Sequence, residues 1–262
     1  MSTRPTAALD RLNPVVRLGC ALVLALPVLI TLDWVSSVVL LGAELVVFTA
    51  AGISPVWLAR RLLPVMIVAV IAGISMSLYG RPGGVIHFHW WLIVISDRSL
   101  LMGLAVLLRV LALACAAVVL LARIDPTLMA DGLAQIVRLP ARFVLGTLAG
   151  VRLIGLLADD WRTLHLARRA RGLGDSGRVR RFASMAFALL VVAIRRATTL
   201  ATAMEVRGFS TANARTRTWA RPSRLGGADA VGLVAAVVID AVAVGAALAA
   251  GTFWLIWWGA PS

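Results

Sequence analysis

Five long runs of apolar residues dominate the pattern of hydrophobic and polar positions along the chain. They cover residues 15–32, 34–53, 62–79, 99–121 and 230–258. Each is long enough for an α-helix to cross the hydrocarbon core of a bilayer, which takes roughly 20 residues. The pattern therefore predicts five transmembrane helices. Because only Asp33 separates the first two runs, we expect these two helices to form a tight antiparallel hairpin.

The segment 123–224 has a different pattern and holds no run that we expect to span the membrane. Helical patterns extend from Ala141 to Arg171 and from Arg178 to Arg207, after Pro140 and Gly177. At 1.5 Å per residue, each helix would be roughly 45 Å long. Because their middles are apolar and their ends are charged, we expect both helices to lie at the inner face of the membrane.

A shorter helix is predicted before this pair, from Pro126 to Arg138, with Asp125 as its N-cap. The predicted fold is therefore an all-α integral membrane protein with about five transmembrane helices and long cytoplasmic helices. Its predicted parts are a four-helix transmembrane part (1–122), a cytoplasmic helical region (123–224) and a final transmembrane helix (225–262).

Composition supports the membrane assignment and orients the chain. Hydrophobic residues make up 61% of the 262 residues, against roughly 45–50% in soluble domains. The net charge is +14 and all 26 basic residues are Arg, of which 18 lie in 123–224 beside six acidic residues. The positive-inside rule then places this segment and the N-terminus in the cytoplasm.

Since Lys is absent, the chain lacks a Gly-Lys-Ser/Thr phosphate loop, and we do not expect it to hydrolyse ATP itself.

The cysteine and histidine residues give no sign of a metal site or a cofactor. Cys20 and Cys115 lie in apolar runs, where burial as small hydrophobic side chains is expected. His87 and His89 lie in the 80–98 connection beside two tryptophans. Two ligands are too few for a structural metal, so an interfacial aromatic belt is the favoured interpretation of this segment.

Two arginines lie at or within apolar runs. For Arg17, at the start of the first run, we expect snorkelling to the membrane surface. Arg109 lies near the middle of the fourth run, and we expect it to pair with Glu44, which lies well inside the second run.

The two long helical patterns end alike. Each runs into an Arg-Gly pair, as Ala170-Arg171-Gly172 and as Val206-Arg207-Gly208. Glycine just after a helical pattern is a usual stop signal, because it adopts the left-handed conformation without steric penalty. The preceding Arg then lies at the carbonyl end of the helix, where the helix dipole favours a cation. Two such ends predict a duplicated site that binds an acidic group.

The order of motifs over residues 125–209 is similar to that of the T component of energy-coupling factor transporters, the transmembrane coupling subunit of a class that imports vitamins and metal ions. The resemblance rests on Asp125-Pro126, Arg138-Leu139-Pro140, Asp159-Asp160 and the two Arg-Gly ends. In that family each coupling helix ends in a small-Arg-small triplet, whose Arg docks into a groove on one of two cytoplasmic ATPase subunits.

The resemblance implies specific roles for residues of this chain. Residues 123–224 would be the coupling-helix region, and the ATPase-coupling residues would be Ala170, Arg171, Gly172, Val206, Arg207 and Gly208, with Val206 departing from the small residue of the family pattern. The implied partners are two ATPases of the ABC type, a small substrate-binding membrane subunit and membrane lipid, in a bacterial inner membrane. No catalytic residue, cofactor, metal or nucleic-acid partner is implied.

Two other classes stay open at the level of sequence. A self-contained secondary transporter would have inverted repeats and broken helices, and we see no such repeat. A membrane-embedded lipid-modifying enzyme would have convergent carboxylates. Asp131-Gly132 with Asp159-Asp160 resembles a CDP-alcohol phosphotransferase signature, but Gln135 stands where that signature requires Arg. Co-purification with an ATPase discriminates among the three classes.

Overall fold

The computed structural model describes residues 9–31, 33–80, 83–90, 93–122, 124–172, 177–208 and 218–252. Its contacts divide the chain into two units. The first unit comprises residues 1–124 and 224–262, and the second comprises 125–223. The elements, in chain order, are α1 (Pro14–Ile30), α2 (Trp34–Ala50), α3 (Pro55–Tyr79), β1 (Ile86–Trp90), β2 (Ile93–Ser96), α4 (Asp97–Leu120), α5 (Pro126–Gln135), α6 (Ala141–Ala170), α7 (Arg178–Val206) and α8 (Gly227–Ala249). The predicted all-α membrane fold is confirmed.

The helices of the first unit begin at side-chain caps that the sequence supplies. Asn13 accepts a hydrogen bond from the backbone N–H of Val15 at the start of α1. Asp33 accepts one from the N–H of Ser36 at the start of α2. Such caps satisfy N–H groups that have no partner within the helix, and they define helix starts close to those that the apolar runs predicted.

The packing of the first unit differs from the expected α1–α2 hairpin. The connection at Asp33 is short, but α1 and α2 contact each other at only a few residues. Each packs instead against α4 and α8, and α3 packs against α4. Leu24, Leu40, Val119 and Ala243, one from each of these four helices, are buried in a shared core. The hairpin expectation was wrong because chain proximity does not decide which faces of two helices meet.

Helices α3 and α4 approach closely at glycine. A Cβ on Gly103 would lie 2.6 Å from the carbonyl oxygen of Gly73 and would clash with the Ser77 hydroxyl. Side chains larger than hydrogen at this crossing would push the two backbones apart. Small residues allow such close helix contact within membranes.

The connection between α3 and α4 contains a feature that the helical patterns did not predict. Strands β1 and β2 pair as a short antiparallel hairpin, with Phe88 opposite Ile95 and Trp90 opposite Ile93. The aromatic and β-branched residues on both sides of the turn favour this pairing. The side chains of His87 and His89 lie outside the described part of the structure, so their predicted place in an aromatic belt stays a prediction.

The second unit consists of α5, α6 and α7. At 30 and 29 residues, α6 and α7 each measure about 45 Å. Their most apolar 18 residues have mean hydropathies of 1.6 and 1.5, so both helices are long and apolar enough to cross a membrane. By length and composition the segment therefore holds runs that the sequence pattern did not count, because charged residues are concentrated near the helix ends. The placement of both helices at the inner face of the membrane stays a prediction. Among the described residues, α3, α4 and α8 also meet this measure, while α1 and α2 are shorter, at 17 residues.

Candidate functional site

The two Arg-Gly ends have the same backbone conformation. Helix α6 ends at Ala170, and Arg171 is its C-cap with φ −87° and ψ 6°. The C-cap of α7 is Arg207, with φ −79° and ψ 11°. The glycines that follow, Gly172 and Gly208, have φ of 73° and 75°. The predicted glycine stops are confirmed, since L-residues with a Cβ rarely adopt this left-handed conformation.

The hydrogen bonds at these two ends also match. The N–H of Gly172 donates to the carbonyl of Arg169 at 3.1 Å, and that of Gly208 donates to the carbonyl of Glu205 at 3.0 Å. Each backbone therefore turns away from the helix axis at the residue after the arginine, which leaves that arginine as the last side chain of its helix.

Both arginines are available to a partner. Arg171 and Arg207 are exposed, and within the described residues neither side chain has an ion pair or hydrogen bond. Their neighbours Ala170 and Val206 are exposed as well, Val206 to 83%. An exposed guanidinium offers five donors in a planar fork that matches a carboxylate. The geometry is thus suited to bind an acidic group, and it occurs twice.

The two ends lie at opposite ends of the α6–α7 pair. Near the end of α6, Arg168 Nη2 donates to Ser184 Oγ in the second turn of α7, at 2.6 Å. Near the end of α7, Met204 lines a groove of about 450 Å³ with Leu145 at the start of α6. Because each helix is about 45 Å long, the two arginine ends are separated by tens of ångströms.

Polar and aromatic contacts join α6 to α7 between these ends. Arg196 Nη1 lies 2.5 Å from Asp160 Oδ2, and Arg196 Nη2 donates to Asp160 Oδ1 at 3.2 Å. The rings of Trp161 and Phe182 lie 5.4 Å apart. The structure thus gives Asp160 a partner on the neighbouring helix. Sequence reasoning assigned Asp160 no role because its partner lies 36 residues away.

Polar side chains make hydrogen bonds at both ends of helix α5. Asp125 accepts a hydrogen bond from the N–H of Thr127 at 2.8 Å. This bond holds the pKa of the Asp125 carboxyl below its ordinary value. At the other end of α5, Gln135 donates to the carbonyl of Arg221 and accepts from the N–H of Ser223, both at 2.9 Å. The predicted N-cap is confirmed, and the Gln135 contacts were missed because they join residues more than 80 positions apart.

Arg17 acts as a cap for another helix rather than snorkelling. Its side chain is 4% exposed, and it donates to the carbonyls of Leu120 and Ala122 at 2.7 and 2.8 Å. These carbonyls lie at the C-terminal end of α4, where backbone acceptors have no helical partner and the dipole attracts a cation. The snorkelling expectation was wrong because a buried acceptor site lies within reach.

The contact of Arg17 with the end of α4 and a second contact show which helix ends lie together in the first unit. The N–H of Asn13, the N-cap of α1, donates to Asp229 in the first turn of α8 at 2.6 Å. Helices α1 and α8 therefore begin at the same end of the first unit, and α4 ends there. The chain leaves the bundle and re-enters it at the end where α1 begins.

The expected pair of Glu44 with Arg109 is not formed. Glu44 is fully buried in α2. It interacts with the Cys115 thiol on α4 and with the Asp240 carboxyl on α8, whereas the acidic group that acts on Arg109 is Asp33. The expectation rested on the position of each residue within its apolar run. That position does not determine which face of the helix the side chain occupies, or which neighbouring helix it meets. The predicted burial of Cys20 and Cys115 is confirmed.

No group of three or more His, Cys, Asp or Glu residues in the described part of the chain could hold a metal ion. Asp159 pairs within its own helix with Arg162 at 3.7 Å, and Asp160 pairs with Arg196. Two of the three carboxylates in the phosphotransferase-like signature, Asp159 and Asp160, therefore each contact an arginine.

Comparison with known proteins agrees with the motifs. The model of the CbiQ family, described as cobalt transport protein, matches residues 6–218. The chain is similar to proteins named energy-coupling factor transporter transmembrane protein EcfT. It is 30% identical to that of Limosilactobacillus fermentum over 64% of this chain and 66% of the relative. Identity to EcfT 1 of Listeria monocytogenes is 30% over 74% and 72% of the two chains, and identity to EcfT of Lactococcus lactis is 25% over 80% and 83%.

The family match covers most of the chain, and it includes the whole of α5, α6 and α7 with both arginine caps. The matched relatives are membrane subunits of transporters, in agreement with the several apolar helices found here. The chain therefore belongs to the CbiQ and EcfT family, and it is the transmembrane component of an energy-coupling factor transporter.

Proposed function

We propose that this chain couples ATP hydrolysis by two partner ATPase subunits to the movement of a substrate-binding membrane subunit that imports a vitamin or a metal ion. The observation that carries the proposal is the pair of exposed arginines, Arg171 and Arg207, held in matching C-caps at opposite ends of two joined helices. The chain itself has no catalytic role in this proposal.

The strength of such docking can be bounded. Truncating one partner of a desolvated, hydrogen-bonded charge pair costs about 2–5 kcal/mol, which corresponds to roughly 30-fold to several-thousand-fold in affinity. Two anchors on one chain make the engagement bivalent, so its geometry is strict. Ends that lie tens of ångströms apart suit two separate ATPase grooves better than a single one.

In the proposed mechanism, ATP draws the two ATPase subunits together and each groove carries its arginine with it. The movement enters α6 at Arg171 and α7 at Arg207. Because the Asp160–Arg196 ion pair joins the helices between these points, the two helices change angle against each other. Exposed apolar side chains such as Ile154 and Phe187 then bear on the substrate-binding subunit. Rigid-body motion of this kind is a common form of switching.

The distribution of charge and the ends of the helices support a cytoplasmic orientation for the N-terminus and the coupling region. The arginine-rich segment leaves and re-enters the bundle at the end where α1 begins, as the contacts of Arg17 and Asn13 indicate. With the positive-inside rule, we place that end, the N-terminus and both arginine caps in the cytoplasm of a bacterial cell with the chain in its inner membrane.

The test uses Arg171→Glu and Arg207→Glu, with Arg195→Glu as the matched control because Arg195 is exposed on α7 away from both caps. We expect each cap variant to reduce co-purification of the ATPases or to uncouple ATP hydrolysis from uptake. The control variant should retain both activities. Normal uptake by the double cap variant would refute the proposed function.

A further inference from the structure

The two arginine caps differ in the charge immediately around them. In the last turn of α6, Arg168 and Arg169 precede Arg171, and the turn has no acidic residue. In the last turn of α7, the exposed Glu205 lies two residues before Arg207. The first cap is therefore strongly positive, whereas the charges of the second nearly cancel.

Neighbouring segments enlarge this difference. The Arg168–Ser184 hydrogen bond places the first turns of α7 beside the end of α6, and those turns contribute Arg180 and Arg181. The end of α7 lies near the start of α6, where Arg142 packs on the Phe143 ring. Over residues 168–181 the sequence holds six arginines and one acidic residue, so the α6 end has a net charge of +5. At the α7 end, Arg207, Arg142 and Arg152, which lines the groove beside Met204, are accompanied by Glu205 and give a net charge of +2.

We infer that the α6 end docks into a strongly acidic groove, whereas the α7 end docks into a weakly charged groove that offers apolar contact to Val206. This inference rests on the proposed function and specifies the chemistry of each partner surface. The arginines at the α6 end lie within a few Debye lengths of one another, about 8 Å each at physiological salt, so binding requires a complementary negative potential. The 83% exposure of Val206 leaves an isopropyl group whose burial favours an apolar partner surface.

The test measures the affinity of the ATPase pair for the full-length chain in nanodiscs of neutral phosphatidylcholine, at about 50 and 300 mM NaCl. Arg207→Ala leaves only the α6 cap, and Arg171→Ala leaves only the α7 cap. The α6 cap alone should lose about tenfold or more in affinity at the higher salt, because its binding is dominated by exposed charge. The α7 cap alone should lose about twofold or less. Adding Arg169→Ala to Arg207→Ala should reduce the salt dependence.

The outcomes separate this inference from the function on which it rests. Equal salt dependence of the two single variants, with both weaker than the unmodified chain, would overturn the inference and leave the docking function in place. If neither variant weakened ATPase binding at either salt concentration, the proposed function itself would fall. A salt dependence that appears only when anionic phosphatidylglycerol is present would assign the arginine cluster to the membrane surface, and this too would overturn the inference.

Discussion

Removal of the ion pair between Asp160 and Arg196 is the most direct test of how α6 and α7 move together. Two unit charges about 4 Å apart interact by about 4 kcal/mol at an effective dielectric constant of about 20. The Arg196 and Asp160 side chains are 40% and 29% exposed, so solvent screening and side-chain ordering reduce the net value. We expect a coupling energy of about 1–2 kcal/mol in a double-mutant cycle of Asp160→Ala and Arg196→Ala.

The assay is thermal unfolding of the full-length chain in detergent, together with the number of ATP molecules hydrolysed per substrate imported by the assembled transporter. Each single variant should raise the ATP cost of import, because motion at one helix end is no longer passed to the other helix. The exchange of the two residues, Asp160→Arg with Arg196→Asp, should restore part of the coupling. Asp159→Asn is the matched control, since the Asp159 side chain is 74% exposed and its partner lies in the same helix.

The reasoning would be refuted by a coupling energy near zero combined with an unchanged ATP cost of import. A coupling energy of the expected size with unchanged import would show that the pair stabilises the second unit but does not transmit motion. Surface pairs such as Asp159–Arg162 contribute about 0–1 kcal/mol, so the control also sets the lower limit of a meaningful effect.

Three further predictions concern the two units. Gly103→Val should disrupt the α3–α4 contact and lower the unfolding temperature, because a Cβ there would lie 2.6 Å from the Gly73 carbonyl oxygen. The control is Gly42→Val, because Gly42 lies in open surroundings. Equal effects of the two substitutions would contradict the prediction. Arg17→Gln should destabilise the bundle by roughly 1–3 kcal/mol, since buried carbonyls of α4 lose their donor, whereas the exposed Arg11→Gln should have little effect in the same unfolding assay. Asp125 has a lowered pKa in the folded chain. The ionised carboxylate therefore contributes its full stabilisation of α5 at a pH above the ordinary pKa of about 3.9. This stabilisation is lost as the pH falls from that value through the lower pKa of the folded chain. Amide exchange in α5 should show this acid sensitivity, and Asp125→Asn should abolish it while the helix is retained.

The local features of the long helices could be predicted from sequence because they depend on neighbouring residues alone. Pro140 precedes the start of α6, and Gly172 and Gly208 mark the stops of α6 and α7 with positive φ. The N-cap at Asp125 was identified on the same basis, from a polar side chain followed by proline. Such signals act within one helical turn, where chain connectivity already brings the atoms together.

Contacts between distant positions could not be predicted in this way. The partners of Arg17, Gln135 and Asp160 lie 103, 86 and 36 residues away along the chain. An arginine at the edge of an apolar run is compatible with lipid, with a carboxylate or with a set of helix carbonyls, and the choice depends on which surface packs beside it. The β1–β2 hairpin was missed for a related reason, because two short strands are stable only when they pair with each other.

The sequence by itself determined that the chain is a helical membrane protein and where its long helices stop. It also determined that two arginines lie at matching positions at those stops. Hydrophobic periodicity and glycine conformation are local properties, so a short stretch of sequence is enough to specify them. Only the tertiary structure decided that the two caps lie at opposite ends of a joined helix pair, that Asp160 pairs with Arg196, and that Arg17 caps α4. Those outcomes depend on helix rotation and packing, which side-chain contacts across the whole fold select and which no short stretch of sequence specifies.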